Sequence, residues 1–125
     1  VCSSDLPICS TVNVFNVMYL EPLAQWLDQQ HLDYVFWNML HSPSMLAISS
    51  LPDIAKNIAC SRLKSATVPR SYQQEFDGII NFMQQGKTNE SVQLLQKIRE
   101  LDRRRQTNLR DHHSELASAI GYEGP

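Results

Sequence analysis

The chain of 125 residues contains 42% hydrophobic and 19% charged residues, proportions that exclude a disordered tail and a fibrous protein. Its net charge of −2 excludes the positive field with which many proteins attract nucleic acid or an acidic membrane. The sequence has no apolar run of about 18 residues, so no membrane span is predicted. It therefore predicts a globular unit, one domain or part of one, with no nucleic-acid or membrane partner.

The opening stretch, VCSSDL, is predicted not to belong to the native protein. Its back-translation resembles the end of a common sequencing adapter, and no initiating methionine precedes it. The alternative is an ordinary polar N-terminus. We therefore expect residues 1–10 to be non-native or disordered, and we expect the chain to be part of a longer reading frame.

The next segment predicts a strand, a helix and a second strand. Thr11–Val17 is rich in β-branched and aromatic residues, and apolar residues fall on both alternation phases, which is typical of a parallel strand buried on both faces. Helical spacing of apolar residues then predicts a helix over Leu20–Gln30. Tyr34–Leu40 is predicted as a second, aromatic strand. The short connections favour a right-handed parallel crossover.

The remainder of the chain is predicted to be mainly helical. Met45–Ser49 is compatible with a short third strand. Apolar spacing and cap residues predict helices at Pro52–Leu63, at Ser71–Gln85 with a Ser71–Gln74 capping box and a closing Gly86, from Thr88 or Asn89 through Leu101, and at Asp111–Ile120 before Gly121. Because two parallel strands leave faces and edges that need cover, we expect further strands from outside this sequence.

The cysteines and histidines predict no metal site. Cys2, Cys9 and Cys60 match no zinc or iron–sulfur spacing, and their odd number favours a reducing cytoplasm. Cys60 lies among apolar neighbours and is expected to be a small buried residue. The adjacent His112 and His113 would diverge by roughly 100° on a helix, so they cannot chelate one ion together and are predicted to lie on the surface.

A basic cluster precedes the last predicted helix. It consists of Arg103, Arg104, Arg105 and Arg110, with Lys97 and Arg99 upstream. Such a cluster can bind phosphate. Acidic residues interleave with it, however, so the sequence favours a solvated face of salt bridges. These acidic residues are Glu90, Glu100, Asp102 and Asp111.

Polar residues at the ends of the two predicted strands form the candidate site. Asn16 and Asn38 occupy comparable positions in otherwise apolar strands. In parallel α/β barrels the functional residues gather at the carboxyl ends of the strands. Each asparagine either anchors a loop backbone or binds a polar ligand. Strand two ends with Asn38, Met39, Leu40 and His41.

Three motifs resemble the end of the catalytic domain in radical SAM proteins that carry a twitch subdomain. TVNVFNVxYLEPL matches the family at Thr11, Val12, Asn16, Leu20 and Leu23. NMLHSPxxLAIxxLP and the helix after it match at Asn38, Pro43, Leu46, Ile48, Leu51, Pro52 and Lys56. LDRRRQTN…SEL resembles the closing LDxxRxQN…PEL at Leu101, Asp102, Arg105, Asn108, Glu115 and Leu116, with Gln106 beside the family position and Ser114 in place of proline.

The resemblance implies a fold and two cofactors. Residues 11–64 would be the parallel β-α-β end of a partial (β/α)6 barrel, and residues 65–125 its C-terminal helical extension. In the full-length parent, a CxxxCxxC loop would hold a 4Fe–4S cluster that cleaves S-adenosylmethionine to a 5′-deoxyadenosyl radical. The adenine would lie against the last strands, with Asn38 as the main contact and Asn16, Leu40 and His41 beside it.

The chain contains none of those cluster-binding cysteines, so it is expected to be a non-catalytic cytoplasmic fragment. Its partner would be the missing N-terminal half of the parent, and the substrate is not identified by the sequence. Two other classes stay open: a small α/β binding domain, and a helical interaction module from Pro52 onward. A fragment of a barrel would show exposed apolar surface beside its first strand, whereas an intact domain would cover it.

Overall fold

The structure, a computed structural model, describes residues 8–30, 32, 35–85 and 90–125. It has a mixed α/β fold. Its elements are β1 (Ile8–Val12), α1 (Leu20–Gln29), β2 (Val35–Met39), α2 (Asp53–Lys64), α3 (Arg70–Gln85), α4 (Ser91–Arg105), α5 (Leu109–His112) and α6 (Ser114–Ile120). The predictions for Val1–Leu6, and for Gly86, Thr88 and Asn89 as helix ends, lie outside the described residues.

The two strands pair in parallel, and α1 connects them. Thr11 lies opposite Asn38, and Val12 lies opposite Met39. The predicted parallel β-α-β unit is therefore confirmed, and these two strands make up the sheet of the described residues. β1 includes residues 8–10, which the sequence assigned to a non-native or disordered segment.

The predicted bounds of the first strand, Thr11–Val17, are wrong because a turn follows Val12. The side-chain oxygen of Asn13 accepts a hydrogen bond from the backbone N–H of Phe15 at 2.9 Å. The side-chain oxygen of Asn16 accepts another from the backbone N–H of Asn13, also at 2.9 Å. These local bonds replace strand pairing, so the chain leaves the sheet earlier than apolar alternation predicts.

The predicted third strand at Met45–Ser49 is also wrong. The chain forms two short 3₁₀ turns there, at Ser44–Leu46 and Ile48–Ser50. The buried Ser50 hydroxyl donates a hydrogen bond to the carbonyl of Ala47 at 2.7 Å, which stabilises the second turn. Local bonding of this kind competes with an extended backbone and explains the difference.

The helices from α1 to α4 match their predicted positions to within a few residues at each end. The capping box is wrong, because Ser71 lies inside α3 instead of preceding it. The predicted last helix is divided at His113, whose backbone is not helical. Asn108 caps α5 by accepting a hydrogen bond from the N–H of Arg110 at 3.0 Å. Gly121 ends α6 with a φ of +78°, the left-handed conformation expected of a glycine cap.

One hydrophobic core holds the helices against one face of the sheet. The Trp37 ring of β2 makes edge contacts with Tyr72 and Phe76 of α3, at centroid distances of 6.1 and 6.0 Å. Such contacts add to the free energy gained by burying the rings. The largest fully buried side chains of this core are Val12, Val14, Val17, Leu20, Ile48, Leu63, Phe76, Ile79, Met83, Leu94, Leu116 and Tyr122.

The opposite face of the sheet is exposed. It carries Cys9, Thr11, Phe36 and Asn38, all exposed, and we call these four residues the open face. Parallel pairing places Cys9 beside Phe36 and Thr11 beside Asn38. Phe36 is 49% exposed. Because parallel sheets are ordinarily covered on both faces, the described residues leave this sheet half covered.

The core predicts a contrast between two isoleucines in helices. Ile79 of α3 is 1% exposed and Ile54 of α2 is 66% exposed. Replacing Ile79 with alanine leaves a cavity and should lower the free energy of unfolding by about 2–5 kcal/mol. Replacing Ile54 with alanine should change it by no more than about 0.5 kcal/mol. Urea denaturation followed by circular dichroism measures both, and equal losses would contradict the described core.

Candidate functional site

Asn38 lies on the open face, at the carboxyl end of β2. Its side chain is exposed and has no hydrogen-bond partner among the described residues. Thr11 lies beside it on β1, and Phe36 precedes it on the same face. An exposed amide next to an aromatic ring offers hydrogen bonds and packing to a flat ligand.

Asn16 is bound to its own loop. Its side-chain nitrogen donates to the carbonyl of Thr11 at 2.8 Å, while its side-chain oxygen accepts from the N–H of Asn13. Both ends of the amide are therefore engaged, as in the loop-anchor alternative. Since Thr11 is also the sheet partner of Asn38, the structure brings the two asparagines to the same residue.

Leu40 and His41 follow the carboxyl end of β2. The N–H of Leu40 donates to the carbonyl of Val12 at 3.0 Å and extends the pairing of the strands. His41 is exposed, and its ring meets Phe82 edge-on at a centroid distance of 5.3 Å. Of these two residues, His41 therefore presents a polar side chain to solvent, while the N–H of Leu40 belongs to the sheet.

α4 packs beside the 3₁₀ turn that follows β2. Near its start, Glu90 accepts a hydrogen bond from the Ser44 hydroxyl at 2.9 Å, so the helix is joined to the segment after β2. Farther along, Ile98 and Leu101 line a cleft together with Phe15, which lies in the turn after β1. The N–H of Val14 in the same turn donates to the carbonyl of Leu46 at 3.0 Å. α4 and the residue before it therefore lie beside the turns that follow both strands.

A buried carboxylate holds the C-terminal region on α4. Asp102 is 7% exposed. It accepts hydrogen bonds from the Tyr122 hydroxyl at 2.6 Å, the Thr107 hydroxyl at 2.9 Å and the Leu109 N–H at 3.0 Å. These bonds join the end of α4 to the start of α5 and to the chain after α6. We call Asp102, Thr107, Leu109 and Tyr122 the Asp102 network.

The sequence placed Asp102 on a solvated face of salt bridges, and this prediction is wrong. Leu94, Ile98 and Asp102 are the buried residues of α4 and follow one another at intervals of four. That spacing marks a single helix face, so it was the signal for burial. The charge of Asp102 nevertheless favoured an exposed position in the sequence prediction, because buried carboxylates are rare unless they are paired or hydrogen-bonded.

The Asp102 network shifts two pKa values in opposite directions. Burial opposes ionisation of Asp102, but the bonds from Tyr122, Leu109 and Thr107 and the nearby Arg105 charge outweigh it and lower its pKa. Burial and the hydrogen bond to Asp102 raise the pKa of Tyr122 to about 12. Tyr122 therefore stays protonated and donates to an ionised carboxylate at neutral pH.

The basic cluster divides between surface and structural roles. Arg104 forms an ion pair with Glu100 at 2.7 Å, as the salt-bridged face predicted. Arg110 donates to the backbone carbonyl of Tyr122 at 2.8 Å and so supports the C-terminal chain. His112 and His113 are exposed, which confirms their predicted surface position.

Within residues 8–30, 32, 35–85 and 90–125, no cluster of three or more histidine, cysteine or acidic residues is arranged to hold a metal ion. Cys60 is buried as predicted, and Cys9 is exposed on the open face. None of the helices in these ranges is long and apolar enough to cross a membrane. Comparisons with protein-family models, curated proteins and solved structures find no match. A functional assignment therefore depends on the residues and geometry of this chain.

The Asp102 network predicts a destabilised Tyr122→Phe variant. At pH 7, losing the donor to a buried carboxylate should lower the free energy of unfolding by about 1–3 kcal/mol. Tyr19→Phe is the matched control, because the Tyr19 hydroxyl has no hydrogen bond to another described residue. Urea denaturation of the three proteins measures the difference. Equal stability of the two variants would contradict the network.

The same network predicts how stability depends on pH. Because the pKa of Asp102 is lower in the folded chain, its stabilising contribution is complete above the unfolded carboxyl pKa of about 3.9. It should be lost as the pH falls through the lower, folded value. The difference in the free energy of unfolding between the unmodified protein and the Tyr122→Phe variant should therefore be constant from pH 7 to about pH 5. It should become smaller below about pH 4. A difference that grows under acid would contradict this sign.

Proposed function

We propose that this chain forms the last two strands and the C-terminal helical cap of a radical SAM partial barrel, with the open face lining the barrel interior. One observation carries the proposal: helices cover one face of the parallel strands, while the other face stays exposed. In α/β barrels the helices form the outer ring, and the inner face of each strand turns toward the other strands. The motif resemblance from Thr11 to Leu116 supports the same assignment.

The open face has the chemistry needed for the adenine of S-adenosylmethionine. Adenine is flat with polar edges, so it requires apolar packing and a few directed hydrogen bonds. Phe36 offers exposed aromatic surface, and the Asn38 amide can both donate and accept. Asn16 would act through Thr11, whose carbonyl it holds. His41, exposed after β2, would lie at the rim of such a site.

The cluster would be held outside this chain. The described residues provide no ligand set for a 4Fe–4S cluster, so the cysteines would belong to the N-terminal half of the parent protein, the partner that this proposal requires. The cluster and S-adenosylmethionine together would supply a 5′-deoxyadenosyl radical. This chain would bind the adenine, cover the carboxyl edge with α4 and exclude water. By itself it would not be a catalyst.

The proposal predicts a composition for the upstream reading frame. Genomic sequence joined to this chain should encode a CxxxCxxC loop near the start of a barrel. The full-length protein, reconstituted with iron and sulfide, should show visible charge-transfer absorption and, with a reductant, convert S-adenosylmethionine to 5′-deoxyadenosine. The 125-residue chain treated in the same way should show neither. An upstream frame without such a loop would refute the proposal, as would a stoichiometric cluster on this chain alone.

Asn38 can be tested in that full-length protein. Asn38→Leu removes the exposed amide and should weaken S-adenosylmethionine binding about tenfold, the effect of one hydrogen bond to a buried ligand group. Asn57→Leu makes the same change at an exposed position in α2 and should leave binding unaltered. Equilibrium dialysis measures both affinities, and circular dichroism checks folding. If the folded Asn38→Leu protein binds as tightly as the control, Asn38 does not contact the adenine.

A further inference from the structure

A cleft of about 540 Å³ opens between the turn after β1 and the corner formed by α4 and α5. We call it the α4–α5 cleft. Phe15, which lines it, follows β1 at its carboxyl end. The cleft therefore lies at the edge of the sheet where parallel α/β proteins bind their ligands. Its volume is in the range of small-molecule sites, about 300–1,000 Å³.

Apolar side chains form one wall of the cleft. Ile98 is buried, while Phe15, Leu101 and Leu109 are only half-buried and keep part of their surface toward the opening. These four come from the turn after β1, from α4 and from α5, so three separate elements converge on the wall. A wall of this kind favours a ligand with a flat apolar body.

The polar side of the cleft carries the ionised Asp102, the Arg105 guanidinium and two histidines. Asp102 lines it, but its carboxylate already accepts the three hydrogen bonds of the Asp102 network. Arg105 and His112 are exposed, and neither side chain forms a hydrogen bond or an ion pair with another described residue, although the Arg105 charge acts on Asp102. His113 packs on the Tyr19 ring at a centroid distance of 5.3 Å. A guanidinium and an imidazole with uncommitted donors therefore stand beside an apolar wall.

We infer that the α4–α5 cleft binds a small organic acid, with its apolar body against Phe15 and Leu109 and its carboxylate on the Arg105 guanidinium. A guanidinium presents paired donors that match the two oxygens of a carboxylate, which makes Arg105 the residue that determines the charge of the ligand. The inference depends on the cleft alone. It does not require S-adenosylmethionine, an iron–sulfur cluster or the open face, and it goes beyond the proposed radical chemistry.

Two probes of the same shape test the inference on the 125-residue protein. 1-Naphthoate carries the carboxylate, and 1-naphthamide replaces it with a neutral amide. Titration followed by amide chemical shifts should place naphthoate at Phe15, Leu101 and Leu109, with naphthamide binding about tenfold more weakly because it lacks the charge. Shifts confined to the open face, equal affinities for the two probes, or no binding would overturn the inference.

Variants at two arginines of α4 test which cation is used. Arg105→Gln should weaken naphthoate binding about tenfold and leave naphthamide unchanged. Arg103→Gln removes the same charge from an exposed arginine that does not line the cleft, and it should change naphthoate binding less than twofold. Arg105→Lys should recover part of the affinity, since it restores charge without the paired donors. Circular dichroism checks folding, and equal losses for Arg105→Gln and Arg103→Gln would overturn the role of Arg105.

Discussion

Two parallel strands cannot bury their own apolar side chains, and this constraint organises the rest of the structure. Pairing of β1 with β2 satisfies backbone groups only along the shared edge. The side chains that point to one face, Trp37 and Val12 among them, require cover from other elements. α3 supplies this cover through Tyr72 and Phe76, and α1, α2 and α6 add their buried faces to the same core. Among the described residues, the helices pack on one side of the sheet, and Thr11 and Asn38 on the other side are exposed.

The helical region depends on a second, polar constraint. An ionised carboxylate inside a protein costs several kcal/mol unless hydrogen bonds replace its water. Asp102 obtains these bonds from the α4–α5 junction and from Tyr122, so it stabilises one arrangement of the α4 end, the α5 start and the chain after α6. Arg110 reinforces that arrangement at the carbonyl of Tyr122. The shape of the α4–α5 cleft depends on this network, because Thr107 and Leu109 belong to the network and also line the cleft.

Local patterns in the sequence predict much of the fold, and their failures have physical reasons. Apolar spacing locates α1 to α4 because each helix buries a stripe that recurs with the helical period. Val14 and Val17 are buried as the pattern of strand one requires, yet they reach the core from a turn. The apolar alternation thus predicted the burial of Val14 and Val17 correctly. It did not predict the backbone conformation, because the side chains of Asn13 and Asn16 hydrogen-bond to the backbone and stabilise a turn.

The sequence could predict the exposure and the role of a candidate site residue only where neighbouring residues in the chain determine them. The exposed position of Asn38 follows from its alternation with Trp37 in β2, and the loop-anchor role of Asn16 follows from neighbours within five residues. The burial of Asp102 follows the spacing of Leu94 and Ile98, but its bond to Tyr122, twenty residues farther along, follows from no local pattern. The α4–α5 cleft needs Phe15 and Leu109 to line the same opening, although they lie far apart in the sequence.

Residues of the open face and of the α4–α5 cleft both occur near the carboxyl edge of the sheet. Thr11 contacts both asparagines there, and α4 lies beside the segments that follow the strands, at Ser44 and at the turn containing Phe15. The open face and the α4–α5 cleft use different residues, so a ligand on one does not need the other. The strand-to-helix loops of a parallel sheet leave from this edge, and such loops carry binding residues more often than packed elements do. Two neighbouring surfaces with distinct chemistry are therefore the expected outcome of one half-covered sheet under a helical cap.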